Sequence, residues 1–274
     1  MEVLPVLDLL NGVVVRGIAG RRTEYQPLRS QLTTEIAPLR VARALRERFG
    51  FTRFYVADLD AILHRRPNEI LYRQLIQDGF ELQVDAGIRT VDQALSVRDC
   101  DAEPIIGLES CPGPDVLAKI VDATDGAMTF SLDLQSGRPL LPSPATWSLA
   151  ARGKRDLTLS GHAVFEAISM PSKGSDPFCH GLQVPAEIVR QVVACGVKRI
   201  IVLDLADVGT SSGGQTHLLC RTLLSEHPEL ELTCGGGVRG YEDLLCLKSL
   251  GAKSVLVASA LHDGRLVPAD LASL

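Results

Sequence analysis

Short runs of apolar and β-branched residues alternate along the chain with longer segments whose apolar residues recur at helical spacing. The segment 36–48 is typical of the second kind, with Ile36, Leu39, Ala42 and Leu45 on one face. The predicted strands are 2–7, 53–57, 81–84, 103–106, 127–132, 199–203, 230–234 and 254–257. The predicted helices are 36–48, 67–77, 91–98, 114–122, 185–194, 216–225 and 241–250. This alternation indicates βαβ units around a parallel sheet.

The number of strands favours one α/β architecture. Eight strands with their crossovers predict a closed (β/α)8 TIM barrel that forms a single domain over residues 1–274. Such a barrel typically has about 250 residues, which fits a chain of 274. The alternative is a doubly wound open α/β sheet.

The second half of the chain repeats motifs of the first half in the same order. The matched pairs are Asp8 with Asp133, Asp58 with Asp204, Arg89 with Arg239 and Gly107 with Ala258. This internal duplication predicts two half-barrels of four strands each. The interval between matched positions lengthens after the first pair, which predicts an insertion in the second copy after the fifth strand.

The predicted insertion covers about residues 138–182 and is rich in Pro, Ser, Gly and Arg. It contains Trp147, a possible strand at 157–159, an apolar patch at 163–168, and the histidines His162 and His180. Long loops after barrel strands often form lids or partner contacts. A surface excursion without such a role is the alternative.

Composition narrows the function classes. The net charge of −5 disfavours a nucleic-acid or membrane-surface partner. No apolar run approaches the roughly 18 residues of a membrane span, and Glu2, Asp8 and Arg16 interrupt any signal-peptide pattern. Seven cysteines without Cys-x-x-Cys spacing indicate thiols in a reducing cytoplasm. No metal-ligand spacing is present, so no metal or other cofactor is expected.

Asp8 and Asp133 are the candidate catalytic residues. They end the first and fifth strands, which face each other across an eight-stranded barrel, and catalytic groups of such barrels lie at the carboxyl ends of strands. Two carboxylates in one pocket can act as a base and an acid when their environments differ. The alternative is that each aspartate accepts backbone hydrogen bonds from its own loop.

A glycine-rich turn is the candidate phosphate site. Gly235, Gly236 and Gly237 offer bare backbone N–H groups before a predicted helix. Ala258 and Ser259 follow the eighth strand and add a hydroxyl, as in the phosphate cups of barrel loops seven and eight. A tight turn without a ligand is the alternative.

Together these motifs resemble the histidine-biosynthesis barrel family, and most closely its phosphoribosylformimino-5-aminoimidazole carboxamide ribotide isomerase branch. The resemblance rests on Leu-Pro-Val-Leu-Asp8-Leu-Leu-Asn-Gly-Val-Val-Val-Arg16-Gly-Ile-Ala-Gly20 with Tyr25, on Asp58-Leu-Asp60-Ala, Gly87-Ile-Arg89 and Ser131-Leu-Asp133, and on Gly235-Gly-Gly-Val-Arg-Gly-Tyr-Glu-Asp243-Leu. It covers nearly the whole chain outside about 138–182.

The resemblance implies an Amadori rearrangement of an aminoaldose phosphate to an aminoketose phosphate. It implies Asp8 as the base and Asp133 as the acid. It also implies contacts to substrate or phosphate from Arg16, Gly20, Gly87, Arg89, Asp204, Gly235, Gly236, Gly237, Ala258 and Ser259. The implied partner is a phosphorylated small molecule.

The chain departs from the family pattern at several site positions. Leu203 replaces a threonine, and Val208 replaces a carboxylate in the family's Arg-Asp-Gly-Thr motif. Asp85 stands where the second copy has Gly235, and Leu108 replaces a hydroxyl residue. A carboxylate about 5 Å from a phosphate is repulsive by on the order of a few kcal/mol. We therefore expect a substrate with one phosphate, or one with a cationic or neutral group at its other end, unless Asp85 points away from the pocket.

Three functional hypotheses follow. The first is an aldose–ketose isomerase that acts through Asp8 and Asp133. The second is a family barrel used outside histidine biosynthesis, for example in one-carbon metabolism linked to tetrahydromethanopterin or methanofuran. The third is a binding or scaffold barrel without catalysis, for which Leu203 and Val208 are the marks.

Overall fold

The computed structural model describes residues 1–143, 147, 177–209 and 216–274, and only the backbone over 177–183. The possible strand at 157–159, the apolar patch at 163–168 and His162 lie outside the described residues. The side chain of His180 also lies outside the described part of the chain.

The described residues form an alternating series of strands and helices. The strands are β1 (Glu2–Leu10), β2 (Val13–Arg16), β3 (Gln26–Pro27), β4 (Arg53–Asp58), β5 (Glu81–Asp85), β6 (Glu103–Gly107), β7 (Thr129–Gln135), β8 (Arg138–Pro139), β9 (Arg199–Asp204), β10 (Glu231–Gly235) and β11 (Ser254–Val257). The helices are α1 (Pro38–Phe49), α2 (Leu59–His64), α3 (Glu69–Gln77), α4 (Val91–Arg98), α5 (Pro114–Ala123), α6 (Pro177–Ala194), α7 (His217–Glu226), α8 (Tyr241–Ser249), α9 (Ser259–His262) and α10 (Pro268–Ala272). In the described part of the chain, no helix is long and apolar enough to cross a membrane.

Eight of these strands close into a parallel barrel. Their order is β1, β4, β5, β6, β7, β9, β10 and β11, and β11 pairs back onto β1 from Glu2 opposite Ser254 to Pro5 opposite Val257. The closure confirms the predicted (β/α)8 barrel and excludes the open sheet. The predicted strand positions are confirmed to within a few residues at each end.

Both half-barrels begin with the same hairpin. The strands β1 and β2 are joined by Asn11–Gly12, and β7 and β8 by Ser136–Gly137. All four turn residues have positive φ, between 53° and 77°, as two-residue hairpin turns require. Because the hairpins lengthen both strands, Asp8 and Asp133 lie inside strands, not after them as predicted. The segment 138–139 therefore belongs to the repeated hairpin as well as to the predicted insertion.

The core has two layers, one inside the barrel and one between the strands and the helices. The inner layer consists of Leu4, Val15, Tyr55, Ala57, Leu59, Ile62, Ile105, Ile201 and Leu256. In the outer layer, Trp147 is fully buried, its ring centroid is 5.8 Å from that of Phe130, and its Nε1 donates to the Cys111 carbonyl at 3.3 Å. Trp147, which falls within the predicted insertion, is thus part of the core.

Candidate active site

A cavity opens at the carboxyl ends of the barrel strands. It encloses about 910 Å³, including its open mouth. Its polar wall consists of Asp8, Arg22, Tyr25, Tyr55, Asp85, Glu109, Asp133, Ser259 and Arg265. Glycine turns and apolar side chains complete it, among them Gly236, Gly237, Leu203, Val208 and Ala258. This is the face on which enzymes of this architecture carry their active sites.

Asp8 lies on the wall formed by β1. Burial raises the pKa of its carboxyl to about 6, although the positive charge of Arg22 and a hydrogen bond from the Gly17 backbone N–H act in the opposite direction. Gly17 leaves the space that the carboxylate occupies, because a Cβ there would lie 3.0 Å from Asp8 Oδ2. Above pH 6 most of the Asp8 carboxyl is ionised.

Asp133 lies across the cavity on β7 and is 4% exposed. Burial raises its pKa well above the usual range, and the neighbouring carboxyls of Asp85 and Glu109 raise it further. The Ser131 hydroxyl donates to Asp133 Oδ1 at 2.6 Å, and the Glu109 backbone N–H donates to Oδ2 at 3.3 Å. This environment therefore favours the protonated form of Asp133, which is the form that a general acid requires.

Asp85 points into the cavity from the end of β5. Its Oδ1 accepts a hydrogen bond from Gly87 N at 2.9 Å, and the residue is 5% exposed. Burial raises its pKa to about 7, and the charge of Glu109 adds to this effect. The alternative in which Asp85 points away from the pocket is therefore wrong.

Glu109 and Arg22 form an ion pair beside Asp85. Glu109 follows β6, and Arg22 belongs to a short 3₁₀ turn between β2 and β3. Neither residue was a sequence candidate, because each lies in a loop without a motif.

The glycine turn after β10 forms the wall opposite Asp85. Gly236 and Gly237 have φ values of 92° and 75°, and a Cβ on Gly236 would lie 2.8 Å from the Asp204 carbonyl oxygen. Only glycine fits this turn without strain. Ser259 lies beside it at the start of α9, and Arg265 brings a guanidinium to the same wall.

Arg265 was also missing from the sequence candidates. Its Nη1 donates to the Arg239 carbonyl at 3.1 Å, and its Nη2 lies 3.2 Å from Asp263 Oδ2. These contacts hold the guanidinium at the rim of the candidate phosphate site.

Other sequence candidates lie behind the cavity wall. Gly235 does not line the cavity, and a Cβ on it would lie 2.9 Å from Leu203 Cδ1. Arg16 forms a bidentate ion pair with Asp263 at 2.8 and 2.9 Å, next to a smaller pocket that also contains Asp8 and Ser259.

The remaining candidates hold loops in place. Gly20 packs against Leu205, and Gly87 packs against Ile62, both with positive φ. Arg89 folds back onto the carbonyls of Gly87 and Ile62.

Asp204 also contacts loop backbone. Its carboxylate accepts hydrogen bonds from Ser136 N at 2.9 Å, Gly137 N at 2.7 Å and Ala206 N at 3.0 Å. The bonds to residues 136 and 137 connect β9 to the hairpin that follows Asp133.

Most of the departures from the resembled family pattern lie on the cavity wall. Leu203 and Val208 line it and make one side apolar, whereas Leu108 is fully buried and is not among the lining residues. In the described part of the chain, no group of three or more His, Cys, Asp or Glu side chains could hold a metal ion.

Comparison of the chain with known proteins identifies its family. A family model described as "Histidine biosynthesis protein" matches residues 2–170 and 179–267. The chain is 26% identical over 266 residues to an uncharacterized protein of Methanocaldococcus jannaschii, with 97% of this chain and 95% of the relative covered.

Two further relatives are 1-(5-phosphoribosyl)-5-((5-phosphoribosylamino)methylideneamino)imidazole-4-carboxamide isomerases. The one from Parasynechococcus marenigrum is 26% identical, with 97% of this chain and 90% of the relative covered. The one from Desulforudis audaxviator is also 26% identical, with 100% and 91% covered. The chain belongs to the histidine biosynthesis protein family.

Proposed function

We propose that the protein is an aldose–ketose isomerase that performs an Amadori-type rearrangement on a phosphorylated sugar. The observation that carries this proposal is the pair Asp8 and Asp133. They face one cavity from β1 and β7, and burial raises the pKa of both carboxyls, that of Asp8 to about 6 and that of Asp133 well above its usual range. Such a pair supplies a base and an acid without a metal ion.

In the proposed reaction, Asp133 protonates the ring oxygen of an aminoaldose. The bond from carbon 1 to that oxygen breaks, and the amine lone pair forms a protonated Schiff base. Asp8 then takes the proton from carbon 2, and the electron pair of that bond gives an enolamine. Tautomerisation moves a proton to carbon 1 and leaves a ketone at carbon 2, so the product is an isomer of the substrate.

The wall opposite Asp85 would bind the phosphate. Gly236 and Gly237 leave backbone N–H groups uncovered by side chains, Ser259 adds a hydroxyl, and Arg265 adds a positive charge. Backbone N–H groups, a hydroxyl and a guanidinium are common phosphate ligands. A phosphate held there fixes one end of the sugar, so the reacting carbons lie between the two aspartates.

The test is turnover in deuterated solvent. The purified protein is incubated with the two-phosphate aminoaldose named for the relatives and with singly phosphorylated ribosylamines, and NMR follows ketose formation and deuterium incorporation. We expect wild-type turnover of at least one compound and loss of about 100-fold or more in Asp8→Asn and Asp133→Asn. The control is Asp92→Asn, an exposed residue of α4. Full activity in either site variant would contradict the proposal.

A binding barrel is the second candidate function, because Leu203 and Val208 make one cavity wall apolar where the resembled family has polar groups. It predicts that phosphorylated sugars bind without ketose formation or deuterium incorporation, and that Asp8→Asn leaves their affinity unchanged.

A further inference from the structure

Carboxylates crowd the end of the cavity formed by β5 and β6. Asp85 and Asp133 flank Gly107, and a Cβ on Gly107 would lie 3.3 Å from Asp85 Oδ2 and 3.0 Å from Asp133 Oδ2. The missing side chain thus lets both carboxyl groups reach the same space. Glu109 adds a third carboxyl group, and its ion-pair partner Arg22 adds a positive charge.

Tyr55 is an independent sign of a ligand at this end. It is 3% exposed and lines the cavity, and its hydroxyl makes no hydrogen bond to any described residue. Burial raises its pKa well above the usual range, and the neighbouring Asp85 carboxyl raises it further, so the phenol is neutral. Most of the side chain is buried, but the hydroxyl oxygen itself is open to the cavity and is available to a bound group. A substrate group can supply a hydrogen-bond partner.

We propose that the β5–β6 end of the cavity binds a positively charged nitrogen group of the substrate, with Asp85 and the Tyr55 hydroxyl as its contacts. The substrate would then be a sugar monophosphate that carries an ammonium or amidinium group at the far end. This inference rests on the proposed function, because the phosphate bound near Gly236 sets the orientation of the molecule.

The charge distribution explains the choice of group. Of the described residues that line the cavity, the arginines are Arg22 at this end and Arg265 at the phosphate end. The charges of Arg22 and Arg89 act on Asp85, but Arg22 is ion-paired with Glu109 and Arg89 does not line the cavity. An ammonium group would donate charge-assisted hydrogen bonds to Asp85, and these are stronger than neutral ones. A second phosphate would meet like charge.

The comparison within the chain supports the same conclusion. Asp85 occupies the position at which the duplicated half-barrel has Gly235, so one end of the cavity carries a carboxylate where the other has none. The isomerases among the relatives are named for a compound with two phosphoribosyl groups. The side chain of Asp85 would therefore select against such a compound.

Calorimetric titration with three series of simple compounds tests the proposal. The series are ω-aminoalkyl phosphates, ω-hydroxyalkyl phosphates and alkane bisphosphates, each with chains of about three to eight carbons. Alkylammonium ions without phosphate are titrated separately. In the wild type, we expect the best aminoalkyl phosphate to bind about 10-fold or more tightly than the hydroxyalkyl phosphate of equal length, which corresponds to about 1.4 kcal/mol.

Two substitutions of Asp85 sharpen the test. Asp85→Asn keeps the size of the side chain, and Asp85→Gly reproduces the second half-barrel. Both should abolish the preference for the amine, and Asp85→Gly should raise bisphosphate affinity by about 10-fold or more. Neither should change hydroxyalkyl phosphate affinity by more than about twofold. Asp92→Asn is the control, and circular dichroism establishes that each variant is folded.

The outcomes separate this inference from the proposed function. Equal binding of amine and hydroxyl compounds, unchanged by Asp85→Asn, would overturn the inference and leave the phosphate site intact. The wild type could prefer amines while Ser259→Ala leaves phosphate affinity unchanged. That result would support amine binding at the β5–β6 end and contradict the proposed phosphate site. Absence of binding by every compound would overturn both.

Discussion

Replacement of Asp85 by asparagine should make the protein more stable at alkaline pH. The carboxyl is buried, and its pKa is about 7 in the folded protein against 3.8 for an unperturbed aspartate. A raised pKa means that folding opposes ionisation. The contribution of the neutral Asp85 carboxyl to the free energy of unfolding is therefore fully present below pH 3.8 and is lost as the pH rises through 7. Asparagine removes the ionisation and keeps an oxygen that can accept the Gly87 hydrogen bond.

The magnitude follows from the two pKa values. One pKa unit corresponds to about 1.4 kcal/mol, so the ionised carboxylate costs up to about 4 kcal/mol at pH 8 and under about 2 kcal/mol at pH 5. The pKa of about 7 already includes the attraction between Asp85 and Arg22. The gain is smaller than this cost because the substitution buries an amide group, whose N–H donors lose their contact with water. We expect Asp85→Asn to raise the free energy of unfolding by about 2–3 kcal/mol at pH 8. At pH 5 the increase should be about 2 kcal/mol smaller.

Urea unfolding followed by circular dichroism at both pH values measures these free energies. Asp92→Asn, on an exposed position, should change the free energy of unfolding by less than about 0.5 kcal/mol at either pH. A loss of stability in Asp85→Asn at pH 8, or an equal effect at both pH values, would refute the reasoning. A gain in stability together with a loss of amine binding would identify Asp85 as a residue kept for function.

Three further predictions concern the opposite wall and the catalytic base. Gly236→Ala should destabilise the protein by about 2 kcal/mol more than Gly137→Ala in urea unfolding, because both glycines have positive φ but only at Gly236 would a Cβ collide, with the Asp204 carbonyl oxygen. Equal losses would contradict the packing argument. The ratio kcat/KM should fall below pH 6 as Asp8 becomes protonated. A pH profile in which kcat/KM falls only near pH 4 would contradict the raised pKa of Asp8. Ser259→Ala should weaken inorganic phosphate binding by about 10-fold in calorimetry without loss of folding, and unchanged affinity would exclude the hydroxyl as a ligand.

Much of the fold follows from local pattern. The apolar runs that form β4, β5, β6 and β11 start and end close to the predicted residues, because each of these strands is a short and mostly buried apolar run. The predicted strands end before β1 and β7 do. Their extra residues pair with hairpin partners, so the strands extend beyond the apolar run on which the prediction rested.

The site was predictable where a motif marks a strand end. Asp8, Asp133, Gly236, Gly237 and Ser259 line one cavity, as their predicted positions near the carboxyl ends of barrel strands suggested, although Asp8 and Asp133 lie within their strands.

Glu109, Arg22 and Arg265 were not predictable in the same way. They reach the cavity from loops whose course depends on the closed barrel. Likewise, the direction of the Asp85 side chain depends on the Gly87 hydrogen bond, which no periodicity encodes.

The proposed catalysis requires Asp8 to act as a base and Asp133 as an acid in one cavity. Carbon-13 NMR of protein labelled at aspartate carboxyl carbons measures this directly, with Asp8→Asn and Asp133→Asn assigning the two signals. We expect Asp8 to titrate near pH 6 and Asp133 to titrate well above the usual range of an aspartate. Titration of both carboxyls near pH 4 would contradict this expectation.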